Sequence, residues 1–312
     1  MSMVTTFPDR SATASAVSGL ADTVRRATTE PAWVRWSLIG ITWAFLTLLL
    51  VLPVAVVFVE ALRYGWAAYG RALIQPHTLS ALWMTAVTAG VAVPMNTVFG
   101  LAAAWAIARF DFRGKHLLIS LIDLPLAVSP VVAGLVFVLV FGKYGWFGSW
   151  LAAHDIKIVF AAPGMILATI FVTFPYVAHE LIPLMQEQGS EEEEAAVSLG
   201  AGGWQTFFRV TLPNIKWALL YGVILCTARA IGEFGAVAVV AGSVAGRTNT
   251  LPLQIETLYG GNRESRMAAF AIASVLVLTG LITLTAKTLV EARLDRRSRL
   301  TRSVSEDTKP EA

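Results

Sequence analysis

Residues 36–59 read WSLIGITWAFLTLLLVLPVAVVFV, with Arg35 before them and Glu60 after them and no charge between. A helix rises 1.5 Å per residue, so about 20 apolar residues cross the hydrocarbon core of a bilayer, and this stretch is long enough. The pattern recurs along the chain. Between Arg71 and Arg109 lie 37 residues without a formal charge, and Met267–Ala286 is a further uncharged run of 20. The 312 residues are 56% hydrophobic and only 14% charged, with a mean hydropathy of +0.65. A water-soluble domain carries about a quarter charged residues and could not cover this much apolar sequence. The chain is an integral membrane protein, and soluble-enzyme readings fall first.

Six spans are expected, at roughly 37–62, 78–108, 117–141, 158–184, 214–242 and 267–290. The second is long enough to tilt or to hold an interfacial piece before Pro94. Prolines 53, 94, 125, 130, 163 and 175 lie inside spans, where neighbouring helices can satisfy the carbonyls they free, so a packed all-α bundle with kinked helices is predicted. Residues 1–36 are polar and lack the apolar core and cleavage site of a signal peptide, and read as a cytoplasmic tail. Residues 292–312 read as a second polar, basic tail. Trp33 and Trp36 suit an aromatic belt. Lys and Arg number 16 in the two tails and the 109–116 and 185–216 loops, against 7 in the remaining loops. The positive-inside rule then puts both termini in the cytoplasm.

The net charge of +3 and the absence of a basic, aromatic-interleaved patch argue against nucleic acid. Four dispersed histidines lack metal-ligand spacing, and one cysteine, Cys226, cannot form an intrachain disulfide. No paired-carboxylate site, nucleophile triad or cofactor motif is present, so the chain is expected to be non-catalytic. Ala241-Gly-Ser-Val-Ala-Gly-Arg-Thr248 superficially resembles a phosphate-binding loop, but Ala stands for the first Gly and Arg247 for the Lys.

The loop at 186–213, about 28 residues, is longer than a connector needs. Ser190 can N-cap a helix with Glu191–Glu194 in its first turn, where the dipole favours negative charge, and Gly200 to Gly203 can end it. Glu191 to Glu193 read as solvated charge, and Gly200 as a hinge that side-chain bulk would block. A short amphipathic piece, Trp204 to Val210, should lead through Leu212-Pro213 into the fifth span, its aromatics facing membrane or bundle. Such a loop suits a knob shown to a cytosolic partner.

Three charges lie deepest within the expected spans. Arg229 and Glu233, four apart, are within ion-pair reach on one helical face; they either line a path for an anion or satisfy each other structurally. Asp123, two residues before Pro125, reads as a helix cap.

Glu194-Ala195-Ala196, three residues, Gly200, nine residues, then Val210-Thr-Leu212-Pro213 resembles the Glu-Ala-Ala loop of ABC importer permeases of type I, with Val210 for the usual Ile the only departure. Ala228-Arg-Ala-Ile-Gly-Glu-Phe-Gly-Ala236, Asn249 through Tyr259, Val210 through Cys226 and Tyr144-Gly-Trp-Phe-Gly148 are similar to sulfate and molybdate permeases, especially the W-type subunits of sulfate/thiosulfate importers. The similarity spans roughly 40–295, with a core type I region at about 78–290. It departs at Gly260-Gly-Asn-Arg-Glu-Ser265, an external segment.

The resemblance implies that Glu194, Ala195, Ala196 and Gly200, with Leu212 and Pro213, form the element coupled to an ATPase, and that Arg229 and Glu233 are candidates for the translocation path. It implies an inner-membrane, multi-pass importer subunit for a tetrahedral oxyanion. Its partners would be a homologous second permease subunit, two ATPase subunits holding ATP and Mg2+, a periplasmic sulfate/thiosulfate-binding protein and membrane lipid, with no cofactor on this chain. Alternatives are a molybdate/tungstate permease, or a secondary transporter or channel without an ATPase.

Overall fold

The computed structural model describes residues 31–244 and 246–307, with side chains through Glu291. Most of the predicted N-terminal tail lies outside the described residues. The chain divides into two units, Met1–Val56 and Val57–Ala312. In the first, every described side chain is exposed except the half-buried Val34, although the segment is strongly apolar. Lipid is the solvent such a surface fits.

Among the described residues there are twelve helices and no strands: α1 (Ala32–Leu62), α2 (Trp66–Ile74), α3 (Pro76–Arg109), α4 (Lys115–Ala127), α5 (Pro130–Phe141), α6 (Gly148–Ala153), α7 (Ala162–Gln188), α8 (Glu191–Ser198), α9 (Gly203–Ile231), α10 (Gly235–Ala241), α11 (Leu251–Tyr259) and α12 (Arg263–Asp307). Five of them, α1, α3, α7, α9 and α12, are long and apolar enough to cross a membrane, and α4 with α5 would make a sixth as a bent pair.

Where the spans differ from expectation, prolines and glycines give the reason. The predicted third span turns by 108° between α4 and α5. Pro130 opens α5, and a residue before proline avoids helical backbone; Val128 and Ser129 accordingly have ψ of 134° and 132°. The predicted fifth span, 214–242, is interrupted: α9 stops at Ile231, Gly232 caps it, and α10 starts afresh at Gly235. No interfacial piece precedes Pro94, since α3 runs unbroken from Pro76; the separate helix α2 comes before it. α1 and α9 each contain one π turn, Thr47–Val51 and Phe207–Thr211, and each turn ends immediately before a Leu-Pro pair. Pro53 and Pro213 cannot donate to the carbonyl four residues back, and the N–H of Leu52 or Leu212 reaches five back instead. Trp204–Val210 is therefore the first part of α9 and no separate element. α12 continues as backbone helix through Asp307, into the stretch read as a tail.

The core of the larger unit is the packing of α3, α7 and α9. With no hydrophobic drive between helices in lipid, close approach through small residues does the work. Val177 of α7 shows it: a Cβ on Gly100 of α3 would sit 2.9 Å from the Val177 Cβ, and one on Gly222 of α9 would sit 3.2 Å from the Val177 Cα. Beside that crossing the buried Asn96 amide donates to the Thr173 hydroxyl (2.7 Å) and the Ile170 carbonyl (3.2 Å). At α5 and α10 the helices approach so closely that a Cβ on Gly134 would fall 2.7 Å from the Ala236 carbonyl oxygen.

Candidate functional site

The loop between α7 and α9 folds as a short exposed helix mounted on the end of the bundle. α8 takes up Glu191–Ser198 because four glutamates occupy its first turn, where unpaired N–H groups and the helix dipole favour negative charge. Ser190 stands at the N-cap, yet its hydroxyl donates to the Glu194 carboxylate and not to the backbone role expected of it; it accepts no amide N–H. The C-terminus is a Schellman motif. The Ala201 N–H bonds the Ala196 carbonyl (3.0 Å), the Gly200 N–H bonds the Val197 carbonyl (2.9 Å), and Gly200 has φ +90°. A Cβ at Gly200 would meet nothing within 4 Å. Glycine is needed there for its backbone and not, as the sequence suggested, to avoid bulk.

Glu193 fixes the mount. Its Oε2 lies 2.9 Å from Arg109 Nε, and its Oε1 accepts from Arg109 Nη2 (3.2 Å) and from the Thr211 hydroxyl (2.6 Å). Arg109 also donates through Nη1 to the Met185 carbonyl near the end of α7 (2.9 Å). One arginine, the last residue of α3, thereby ties α3, α7, α8 and the start of α9 together. The Arg109 and Glu193 side chains retain only 11% and 17% exposure. The Glu192 carboxylate accepts from the Asn214 amide. The reading of Glu191 to Glu193 as solvated charge thus holds for Glu191 and Glu192, which are exposed although Glu192 also meets Asn214, and fails for Glu193, which braces the helix. Arg109 and Thr211 lie 84 and 18 residues from Glu193, and no local pattern marks such pairings.

With α8 braced on one side, its other face is free. Leu199 is 90% exposed, Val197 is exposed too, and Glu194 and Ala195 are exposed while Ala196 is half-buried. Behind α8, a groove of about 270 Å³ is lined by Ala196, Leu199, Gly200, Gln205, Thr206 and Arg209, among others. Phe207 packs on Trp105 of α3 (5.3 Å between ring centres), whereas Trp204 and Phe208 stack on each other and are exposed. Leu212 is half-buried and Pro213 exposed, directly after the π turn that joins this end to the rest of α9.

Arg229 and Glu233 do meet, in an ion pair, but they do not share a helix. Arg229 is in the last turn of α9 and Glu233 lies in the break beyond it, 1% exposed. The second Glu233 oxygen, Oε1, accepts the Ala236 N–H (3.0 Å), so the same carboxylate caps the start of α10. Taking a charge out of water is costly unless it is paired and hydrogen-bonded, and Glu233 has both. The Arg229 side chain remains 30% exposed. Asp123 is not a cap. It sits within α4, and its Oδ1 lies 2.8 Å from Nε2 of His179 on α7, linking those helices. Sequence reasoning also missed a cluster where α9 meets α12: the Tyr221 hydroxyl donates to Glu291 (2.9 Å), and Lys287 reaches Glu291 (3.7 Å) and lies over the Tyr221 ring. Among the described residues no group of three or more His, Cys, Asp or Glu is placed to hold a metal.

These features define a polytopic membrane protein whose helical bundle carries a rigidly mounted surface helix at one end. Residues 96–296 match the family described as binding-protein-dependent transport system inner membrane component, and the chain belongs to that family of membrane-embedded transport subunits. It is 50% identical over 267 residues to the sulfate transport system permease protein CysW of Escherichia coli K12, covering 86% of this chain and 91% of that one. With the CysW of Synechocystis sp. PCC 6803 it shares 52% over 260 residues, 83% and 94% of the two chains. The CysT permease protein of E. coli K12 is 38% identical over 259 residues, covering 83% of this chain and 93% of its own. Among solved structures, a chain of a bacterial alginate ABC transporter, in complex with an alginate-bound periplasmic protein, superposes with a TM-score of 0.67 at 14% identity, over 83% of this chain and 92% of that one. At that identity the likeness is one of fold.

Proposed function

We propose that this chain is the W-type membrane subunit of an ATP-driven sulfate importer, and that α8 is the element through which a separate ATPase moves the bundle. The observation that carries the reading is the mounting of the Glu-Ala-Ala helix. A helix that transmits force must be free on its outer face and stiff at its base. Leu199 and Val197 stand free, while Glu193, Arg109, Thr211 and the Met185 carbonyl form the base. Glu194, Ala195 and Ala196 then offer small, closely approachable surface to the ATPase, Gly200 sets the exit angle, and Leu212 and Pro213 carry the displacement into α9. The near-50% identity to CysW proteins supports sulfate as the cargo, and the weaker similarity to CysT supports a homologous second subunit as the other half of the bundle.

In this reading there are six spans, α4 and α5 together supplying one, and both termini lie in the cytoplasm, as the excess of Lys and Arg favours. ATP and Mg2+ sit on two partner ATPase subunits, a periplasmic binding protein delivers the anion, and this chain performs no bond chemistry. Arg229, partly exposed at the interruption between α9 and α10, is the candidate cation for the anion's path, with Glu233 holding it in place. Co-expression with a CysT-type permease, the ATPase and the binding protein, followed by reconstitution, should give ATP-dependent accumulation of radiolabelled sulfate. Accumulation that proceeds equally without the ATPase would overturn the proposal. Orientation is checked separately: a cysteine at Ser190 should react with an impermeant maleimide only from the cytoplasmic side, the native Cys226 being buried.

A further inference from the structure

The other end of the bundle carries a site that the transport reading does not use. α3 has 34 residues and therefore spans about 51 Å, with Arg109 at the α8 end and Pro76 at the far end. At that far end, α2, the residue before α3 and the start of α12 enclose a cleft of about 700 Å³. A second cleft of about 330 Å³ adjoins it and shares Tyr64, Asn262, Arg263 and Met267. Four arginines, Arg63, Arg71, Arg263 and Arg266, line the two.

Two of the four are engaged. Arg63 pairs with Glu60 (3.2 Å), and Arg266 lies over the Tyr259 ring. Arg71 and Arg263 have no carboxylate within ion-pair distance among the described residues; Arg71 reaches only the carbonyl of Ala67 in its own helix. Glu264 shares the larger cleft without neutralising either. Asn262 accepts the Ser265 N–H and hydroxyl (2.9 Å each), which fixes the first turn of α12 and the base of Arg263. The rest of the lining is largely apolar: Ala68 and Ala72 of α2, Leu258 of α11, and Met267 and Ala268 of α12. The cleft also sits where long apolar helices end, and the neighbouring Trp66 and Tyr64 are exposed, the placement of aromatic side chains at headgroup depth.

The geometry points to a binding site for the phosphate of an anionic phospholipid headgroup, held by Arg71 and Arg263, with the glycerol and upper acyl region against the apolar lining. The tetrahedral oxyanion chemistry is common to a lipid phosphate and to free phosphate or sulfate. The lipid is the better fit: the volume is that of a site for a drug-sized molecule, and a bare four-oxygen anion would leave the apolar lining uncovered. The inference is independent of the cargo and of the ATPase.

The test is a lipid titration of the full purified permease complex by native mass spectrometry, with phosphatidylglycerol and phosphatidylcholine as probes. The wild type should retain phosphatidylglycerol preferentially. Each of Arg71→Gln and Arg263→Gln should weaken that retention about fivefold, and the pair about thirtyfold, at one headgroup charge contact apiece. Arg113→Gln, outside the cleft, should leave it unchanged. Ala68→Trp fills the apolar side without altering charge and should lower retention as well, which keeps the test informative if the double variant assembles poorly. Equal phosphatidylglycerol retention by wild type, both arginine variants and Ala68→Trp overturns the site. Displacement of bound phosphatidylglycerol by millimolar inorganic sulfate, with loss of sulfate binding in the arginine variants, overturns the lipid in favour of a small-anion site.

Discussion

Breaking the Arg109–Glu193 pair should release α8 from the bundle. The two side chains make a two-point contact at 2.9 and 3.2 Å, and Glu193 takes a third bond from Thr211. A hydrogen bond to a charged group is worth about 1.5–3 kcal/mol, and removing one partner of a buried pair costs about 3–5 kcal/mol. Residual exposure of 11% and 17% admits some water and screening, so Glu193→Ala should cost the docked α8 about 2 kcal/mol. That is close to a thirtyfold change in the local opening equilibrium. Amide hydrogen exchange of the complex should show it as roughly thirtyfold faster exchange at Ala195–Ala201, with α3 and α7 unaffected away from their ends. Arg109→Ala should do at least as much, because the Met185 carbonyl also loses its donor. The double variant should be no worse than Arg109→Ala alone. ATP hydrolysis should persist while becoming independent of transport. Exchange within twofold of wild type in both single variants would refute the idea that this pair mounts the helix.

At Gly200 the cause is φ +90° in open space, so Gly200→Ala and Gly200→Leu should weaken coupling to a similar degree, by about 1–2 kcal/mol at the helix end, and Gly200→Asn should lose less; a loss graded by side-chain size, measured as transport-coupled ATPase, would point to bulk instead. Gly100→Ala puts a methyl 2.9 Å from the Val177 Cβ and should destabilise the bundle by about 1–3 kcal/mol in thermal unfolding; Val177→Ala, which keeps that Cβ, should give little rescue, and Gly90→Ala, in open space, should cost little. Arg229→Ala leaves the buried Glu233 carboxylate unpaired and should reduce assembly of the complex; Glu233→Gln, which keeps an acceptor for the Ala236 N–H, should restore assembly in that background. Sulfate uptake that returns together with assembly would remove Arg229 from the anion path.

The membrane character, the helical class and the short exposed helix at Glu191–Ser198 were legible in the chain because their causes are local. An uncharged run either is or is not long enough for a bilayer, and Ser190 to Gly200 carries its own dipole-matched start and left-handed stop. Interruptions were only partly legible. Pro130 was visible as a source of kinking, whereas nothing marked Gly232 as a break; proline and glycine are tolerated inside many spans, so the 108° turn and the fresh start of α10 depended on which carbonyls found other partners. Neither Glu193, mistaken for solvated charge, nor Asp123, mistaken for a cap, could be placed from neighbours in sequence. Their partners, Arg109 and His179, lie 84 and 56 positions away, and a charge reads alike on a page whether water or an arginine will meet it. The order of residues determined which segments enter the bilayer and which one leaves it as a short helix. Tertiary packing alone decided what holds that helix, because an ion pair forms by distance in space, and three helices had to converge before Arg109 could reach Glu193 and the Met185 carbonyl at once.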